Sequence, residues 1–293
     1  MNVLSMFDGI SCGHAALDAA GIPVDKYYAS ETDKFAIRVT QKNYPDTVQL
    51  GDVRTLTASG LPQIDLLIGG SPCQGFSAAG VRNGFSNPMA GFFWDYVRLL
   101  YEAKPKYFLY ENVLMPQECQ DIISTILGEE PIMVDSSLIS AARRRRLYWT
   151  NIPGFQQPKD KHIMFGDIRE RGVENGSIYY SEKLLKWIKK QEKKGKKLRI
   201  ITDDKKMQML EATMYKKCSL QRFFAIEDVY GLRYITVKEC ERCMGLPDGY
   251  TAGISNSQAY RHLGNGLQVD TVASILKGMK EESISGAEAK KAA

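Results

Sequence analysis

Long apolar runs are missing from this chain. No stretch reaches the roughly 18 consecutive apolar residues that a membrane-crossing helix needs, so no membrane partner is expected. The first strand-like stretch, Val3-Leu4-Ser5-Met6-Phe7, follows Met1-Asn2 with no basic leader or cleavage pattern, which predicts a cytoplasmic protein. Histidine is scarce, with three in 293 residues. His14, His162 and His262 stand in no arrangement that suits a thiol or serine hydrolase. Cysteine is sparse and scattered: the six are Cys12, Cys73, Cys119, Cys218, Cys240 and Cys243, in a chain too large and aliphatic to need disulfides. The one close pair, Cys240 and Cys243, lies in a helical-looking run and has no second Cys/His pair at zinc spacing. A metal is therefore not expected.

What is present describes a globular protein with room for a core: 44% hydrophobic and 25% charged residues. The net charge of +5 is unevenly placed. Residues 155–230 hold 18 Lys+Arg and 11 Asp+Glu, a balance of +7, and the remainder holds 21 and 23, a balance of −2. That distribution predicts a near-neutral domain carrying an inserted basic one, and a polyanion as partner.

Strand-like and helical stretches alternate through the first half. Strands are expected at 2–7, 27–31, 47–50, 64–68 and 107–110, and helices from the turn at Asp8 to Gly13 up to about Ala20, at 33–42, at 89–103 and near 117–128. A further strand near 132–139 and an edge strand at Leu147-Tyr148-Trp149 close the pattern. This is the mark of a doubly wound, mostly parallel α/β sheet of the Rossmann-like kind. Residues 155–230 lack the alternation; 181–191 reads as an amphipathic helix with Leu184, Leu185 and Ile188 inward, continued by a lysine-rich run. For any one of those lysines a solvated surface is the plainer reading, whereas together they suit phosphate contacts. Order resumes with helices near 237–244 and 269–281, and 283–293 reads as a flexible tail.

The chemistry-bearing residues stand at strand ends. Phe7-Asp8-Gly9-Ile10-Ser11-Cys12-Gly13 joins a strand to a helix through glycines; alone, a tight structural turn explains it equally well. Glu31 ends the next strand, where ribose hydroxyls are bound in such folds, and Asp52, ending the third, is placed to hold an adenine amino group. An adenosine-bearing cofactor follows. In Gly69-Gly70-Ser71-Pro72-Cys73-Gln74 a buried strand ends in glycines and presents a cysteine. A lone cysteine is commonly a small core hydrophobe, but ligands gather beyond the carboxyl ends of open α/β sheets. Glu111 ends the adjacent strand, suited to donate a proton in the same cleft or to be an ordinary loop acid.

These motifs in this order resemble the DNA cytosine-5 methyltransferases over residues 3–154 and 231–280. The set is Phe7-Asp-Gly, Ser30-Glu31-Thr-Asp33, Gly51-Asp52-Val53, Gly69-Gly-Ser-Pro-Cys73-Gln-Gly-Phe-Ser77, Glu111-Asn112-Val113, Arg143 to Arg146, Met244-Gly-Leu-Pro247 and Gly264-Asn265-Gly266. Ala141-Ala142 and Trp149 look most like the de novo branch and its bacteriophage and bacterial relatives. The resemblance implies that Cys73 attacks carbon-6 of a flipped-out cytosine, that Glu111 serves ring nitrogen 3, and that Arg146 and Arg144 steady ring and nucleophile. It implies S-adenosylmethionine as cofactor, held by Phe7, Asp8, Gly9 and Gly13, by Glu31 and Thr32, by Asp52 and Val53, by Pro72, and by Asn265, which braces the cleft, with Gly266. Gln74 to Met89 match a loop that closes over DNA, with Gln74, Ser77 and Arg82 as contacts. Double-stranded DNA is the implied partner and a monomer the expected state.

The implied organisation is a catalytic domain at 1–154, a target recognition domain at 155–230 and a return to the catalytic domain at 231–282. Within the insert Thr213, Tyr215, Lys216, Lys217, Ser219 and Arg222 are candidate base or backbone readers. The sequence departs from the family pattern at Ser11, Ala142, Gly91 and Gly266, which bears on cofactor affinity more than on reaction type. A silent DNA-binding homologue would be expected to lose Cys73, Glu111 or Arg146, and all three are present. The same chemistry on transfer RNA is disfavoured by the sizeable basic insert.

Overall fold

In the computed structural model, residues 1–72, 91–174, 176–208, 210–214 and 224–280 are described. They fall into two compact units. One comprises Met1–Ser136, Arg145–Pro158 and the chain from Leu267; the other comprises Ser137–Arg144 and Lys159–Gly266.

The first unit is built on one sheet. Its strands are β1 (Asn2–Met6), β2 (Lys26–Ser30), β3 (Val48–Gln49), β4 (Leu66–Gly69), β5 (Tyr107–Val113), β6 (Ile132–Asp135) and β7 (Arg145–Thr150), in the order β3-β2-β1-β4-β5-β7-β6. The first five run parallel, and β7 is antiparallel to both β5 and β6. Strand order reverses between β1 and β4, so the loops after these two strands flank the switch point where such sheets bind ligands. β4 is buried throughout, as its unbroken apolar run requires for a central parallel strand.

Helices α1 (Cys12–Ala20), α2 (Lys34–Asn43), α3 (Gly91–Ala103), α4 (Gln117–Leu127) and α9 (Val269–Leu276) belong to this unit. Their ends are set by local chemistry. Asp33 caps α2 by accepting from the Phe35 amide at 2.8 Å, and Gly21 ends α1 in the left-handed conformation, donating to the Asp18 and Leu17 carbonyls. Under α3 the core is aromatic: the Tyr110 ring lies 4.8 Å from Tyr96, 5.4 Å from Phe93 and 5.8 Å from Trp149. Pairs of this kind contribute about 0.5–1.5 kcal/mol each beyond their buried area. The Trp149 indole is satisfied by donating to Ser124 Oγ at 3.0 Å.

One strand assignment is corrected. β7 is not an edge: it inserts between β5 and β6, and the edge falls to β6. The apolar Leu147-Tyr148-Trp149 reads equally well as either, and only the chain returning antiparallel decides between them. The strand expected over 132–139 stops at Asp135, followed by a 3-10 turn at Ser136–Leu138. The expected end of the last helix near Glu281 lies outside the described residues.

The second unit holds a three-stranded sheet, β10 (Gly231–Arg233), β9 (Phe224–Asp228) and β8 (Arg199–Ile201), in that order. Around it are α5 (Phe165–Ile168), α6 (Glu182–Glu192), α7 (Val237–Cys243) and α8 (Asn256–Asn265). Compactness groups 231–266 with 159–230, whereas the charge balance drew its line at 230. The pairing of β9 with β10 crosses that line, and so does a buried ionic cluster. Arg233, fully buried, donates to Asp228 Oδ2 at 2.6 Å, to Glu239 at 2.7 and 3.0 Å, and to the Glu170 carbonyl at 2.6 Å. Glu239 also accepts from the Thr236 amide, in a capping box that starts α7. Cys240 and Cys243 lie in α7 as buried free thiols, pushed up by burial. Among the described residues no three His, Cys, Asp or Glu side chains gather as a metal site would require.

Candidate active site

β1 does not run straight into α1. Phe7, Gly9 and Ser11 all take positive φ, at 55°, 61° and 56°, so the turn is wound left-handed at alternate positions. At Gly9 a Cβ would be strained by this conformation, and nothing lies closer to its place than the Phe7 carbonyl at 4.0 Å. The backbone there is open to an approaching ligand. Gly13 has a different reason: a Cβ would stand 2.9 Å from the Tyr27 hydroxyl.

Two acids hold this turn. Glu31, just beyond β2, accepts from the Gly9 amide at 2.9 Å with one oxygen, and from the Thr32 and Asp33 amides at 2.7 and 2.8 Å with the other. A carboxylate offers about four acceptor sites, so one remains for a hydroxyl. Asp8 accepts from Tyr27 Oη at 2.9 Å and from Ser11 Oγ. Burial pushes its carboxyl up to about 6, and the Ser11 and Tyr27 hydrogen bonds only partly oppose the shift.

Asp52 follows β3 and Gly51, whose carbonyl accepts from Ser30 Oγ at 2.7 Å. Its carboxylate is held by Arg54 at 2.5 to 3.0 Å, which lowers it to about 2. Arg54 is 66% exposed, so solvent screens the pair and a ligand amino group can compete for the acid. Val53 is buried, its carbonyl accepting from Arg98 at 2.8 Å. The Phe7 ring meets Phe92 edge-on at 5.6 Å. Open space over Gly9 and Gly51, with acids closing β2 and following β3, fits an adenosine-bearing cofactor.

The loop after β4 sits against the end of β5. At Gly70 a Cβ would lie 3.0 Å from both the Glu111 carbonyl and Glu111 Oε2, so glycine there lets the carboxylate come close. Ser71 Oγ and Tyr110 Oη are 2.6 Å apart, and Asn112 Nδ2 donates to the same tyrosine oxygen at 3.0 Å. All three are buried. This hydroxyl–amide knot fixes the backbone immediately before Pro72 and was not anticipated; only the tyrosine in place of a plain apolar residue in β5 hints at it.

Glu111 is paired from the neighbouring strand. The β5–β7 register sets Val113 opposite Arg146 and Glu111 opposite Tyr148, so Arg146 is the diagonal neighbour of Glu111 on the same face. Arg146 Nε stands 2.9 Å from Glu111 Oε1, both side chains largely buried. The separation is that of an ion pair, although the N–H direction falls short of a hydrogen bond to that oxygen. Arg146 Nη1 donates to the Arg145 carbonyl at 2.9 Å.

Arg144 lies in the second unit, where it donates to the Gly264 and Gly266 carbonyls at 3.1 and 2.7 Å and so grips the end of α8 around Asn265. Thr213 also lies there, 3.4 Å from a Glu211 carboxylate oxygen. Cys73, Gln74, Ser77, Arg82, Tyr215, Lys216, Lys217, Ser219 and Arg222 lie outside the described residues.

Comparison with known proteins adds a family to this geometry. The model of the family described as C-5 cytosine-specific DNA methylase matches residues 1–125 and 139–281. The chain is 29% identical over 285 residues to the type II methyltransferase M1.ScrFI of Lactococcus lactis subsp. cremoris, covering 88% of this chain and 72% of that one. It is 34% identical over 178 residues to the orphan methyltransferase M.Rho11sI of Bacillus phage rho11s, covering 60% of this chain and 34% of the phage protein. Among solved structures, the methyltransferase EhMeth of Entamoeba histolytica superposes with a TM-score of 0.80 at 18% identity, covering 96% and 98% of the two chains.

Proposed function

The chain belongs to the C-5 cytosine-specific DNA methylase family, and on that premise we propose that its methyl transfer runs through Cys73, Glu111 and Arg146. The protein is an S-adenosylmethionine-dependent DNA methyltransferase acting at carbon-5 of cytosine. The observation that carries the residue assignment is the ion pair of Glu111 with Arg146, set against Gly70, which follows β4 and stands three residues before Cys73 in the chain.

Cytosine is too electron-poor at carbon-5 to take a methyl group directly. The Cys73 thiolate adds to carbon-6, forming the S–C bond and pushing the ring electrons toward carbon-5 and nitrogen 3. Glu111 serves nitrogen 3, stabilising it or donating a proton to it so that the ring becomes an enamine, and Arg146 holds the carboxylate in place. S-adenosylmethionine, when bound, supplies the methyl group as an electrophile. Loss of the carbon-5 proton then returns the electron pair, breaks the S–C bond and releases Cys73. Base flipping brings the target ring to this end of the sheet, since the reacting atoms are not reachable inside the duplex.

For the cofactor we assign Glu31 to the ribose and Asp52 to the adenine amino group. The turn Phe7-Asp8-Gly9, with Gly13 behind it, Thr32, Val53 and Pro72, shapes the remainder. Gln74, Ser77 and Arg82 are assigned to DNA contact, as are Tyr215, Lys216, Lys217 and Arg222. Arg144 acts as a brace for Asn265 and Gly266. Double-stranded DNA, a cytoplasmic location and a monomeric state complete the reading.

The test is expression in a host without cytosine methylation, with 5-methylcytosine mapped across the genome. Wild type should mark cytosines in one short sequence, and Cys73→Ser none. Equal marking by Cys73→Ser would remove the nucleophile assignment; methylated transfer RNA with unmarked DNA would overturn the substrate.

A further inference from the structure

The excess positive charge of the inserted segment has a single address. Residues 181–201 hold nine Lys+Arg and two Asp+Glu, a balance of +7, which equals the balance of the whole of 155–230. The described structure makes most of this stretch into α6, the turn after it and β8. α6 is anchored by Ile188, which is 4% exposed, with Leu184 and Leu185 half-buried beside it. Its other face carries Lys183, Lys186, Lys189 and Lys190, and Lys193, Lys194, Lys196 and Lys197 follow in the turn, all exposed.

Little within the unit neutralises them. Among the described residues, Glu182 stands 3.9 Å from Lys186 across two side chains more than 80% exposed. Among the described residues none of the six lysines from Lys189 to Lys197 has a carboxylate within 4.0 Å. Lysines also repeat at i, i+4, as Lys186–Lys190 and Lys189–Lys193, a spacing that opposes the helix it occupies. Amid them Trp187 is 44% exposed, an aromatic ring left on the charged face.

We propose that this face of α6, with the lysine turn, is a phosphate-tracking surface that binds the DNA backbone without reading sequence. The proposal rests on the DNA methyltransferase reading above and assigns to this face the affinity, not the choice of site. Charge complementarity commits it to a polyanion, and the buried apolar side argues for DNA over a bilayer, because a helix lying in a membrane surface turns its apolar side outward. α6 is about 16 Å long at 1.5 Å per residue, enough to run beside about five phosphates of one strand at 3.4 Å of axis each. The Trp187 ring rests against the sugars between them.

The experiment uses the full chain and two duplexes, one with the target sequence and one scrambled, with affinity measured across salt concentrations. The variant is Lys189→Gln, Lys190→Gln, Lys193→Gln and Lys194→Gln together, which leaves Ile188 and the helix core untouched. Its log–log salt slope should shrink by about 3 to 4, and at 0.1 M salt its affinity should fall about eightfold per lysine removed, equally for both duplexes. Turnover at saturating DNA should stay as in wild type. In a Trp94→Phe background, where fully buried Trp149 supplies a constant emission, the Trp187 contribution should be quenched by either duplex and recover with added salt. An unchanged slope overturns the proposal, as does a loss confined to the target duplex, which would make the face a base reader. Binding to transfer RNA or phosphatidylserine vesicles that depends on these lysines, while DNA binding does not, would overturn it too. If wild type binds DNA with the expected slope but methylates nothing, the catalytic reading fails and this one stands.

Discussion

Gly70→Ala tests the geometry at the end of β4 and β5 most directly. The new Cβ would lie 3.0 Å from the Glu111 carbonyl oxygen and 3.0 Å from Glu111 Oε2, where ordinary contact begins at about 3.4 Å. The carboxylate can swing away, but the carbonyl belongs to β5 and moves only with the strand. Relief therefore displaces Glu111 by a few tenths of an ångström. Overpacking of this size costs about 1–3 kcal/mol, offset by about 0.4–1 kcal/mol from the stiffer unfolded chain. Unfolding should shift by only a few degrees. The rate should suffer more: a 1 Å misplacement costs on the order of 100-fold, so about 0.4 Å scales to roughly five- to tenfold. Single-turnover methyl transfer at saturating DNA measures this, with cofactor affinity expected at the wild-type value because the Glu31 side of the sheet is untouched. A transfer rate within twofold of wild type, in a protein that folds normally, would refute the argument that Glu111 acts from the position Gly70 permits.

Other perturbations probe different parts of the molecule. Arg233→Ala leaves Asp228 and Glu239 buried without their cation and should cost about 3–5 kcal/mol, read as a lower unfolding midpoint. Gly264→Ala would place a Cβ 2.3 Å from the Ala212 backbone nitrogen, a clash between main chains; unfolding temperature should fall by more than for Gly70→Ala. Asp8 titrates at about 6 in the fold against 3.8 ordinarily, so folding favours its neutral form. The resulting stabilisation is complete below about pH 4 and is lost as pH rises through 6, a span worth about 3 kcal/mol. Asp8→Asn should thus be more stable than wild type at pH 8 by up to about that amount and no more stable near pH 4. A difference independent of pH would contradict the buried-acid account.

The amino-acid sequence by itself determined the sheet and the address of its chemistry. Alternating apolar strands and amphipathic helices are local properties, and a doubly wound sheet puts every strand-ending acid or thiol on one side. Glu31, Glu111 and Gly70 could be assigned to that side from the strand pattern alone, and the charge balance marked the basic insert. Tertiary structure decided what depends on partners distant in sequence. The antiparallel return of β7 between β5 and β6 brings Arg146 diagonally beside Glu111, a pairing no local pattern encodes. The Ser71–Tyr110–Asn112 knot and the engagement of Asp52 by Arg54 are likewise matters of side-chain direction. Residues 231–266 joined the second unit because β10 pairs with β9 and Arg233 ties Asp228 to Glu239. Charge counts along a chain are blind to such contacts, because hydrogen bonds and buried ion pairs act over a few ångströms of space rather than a few residues of sequence.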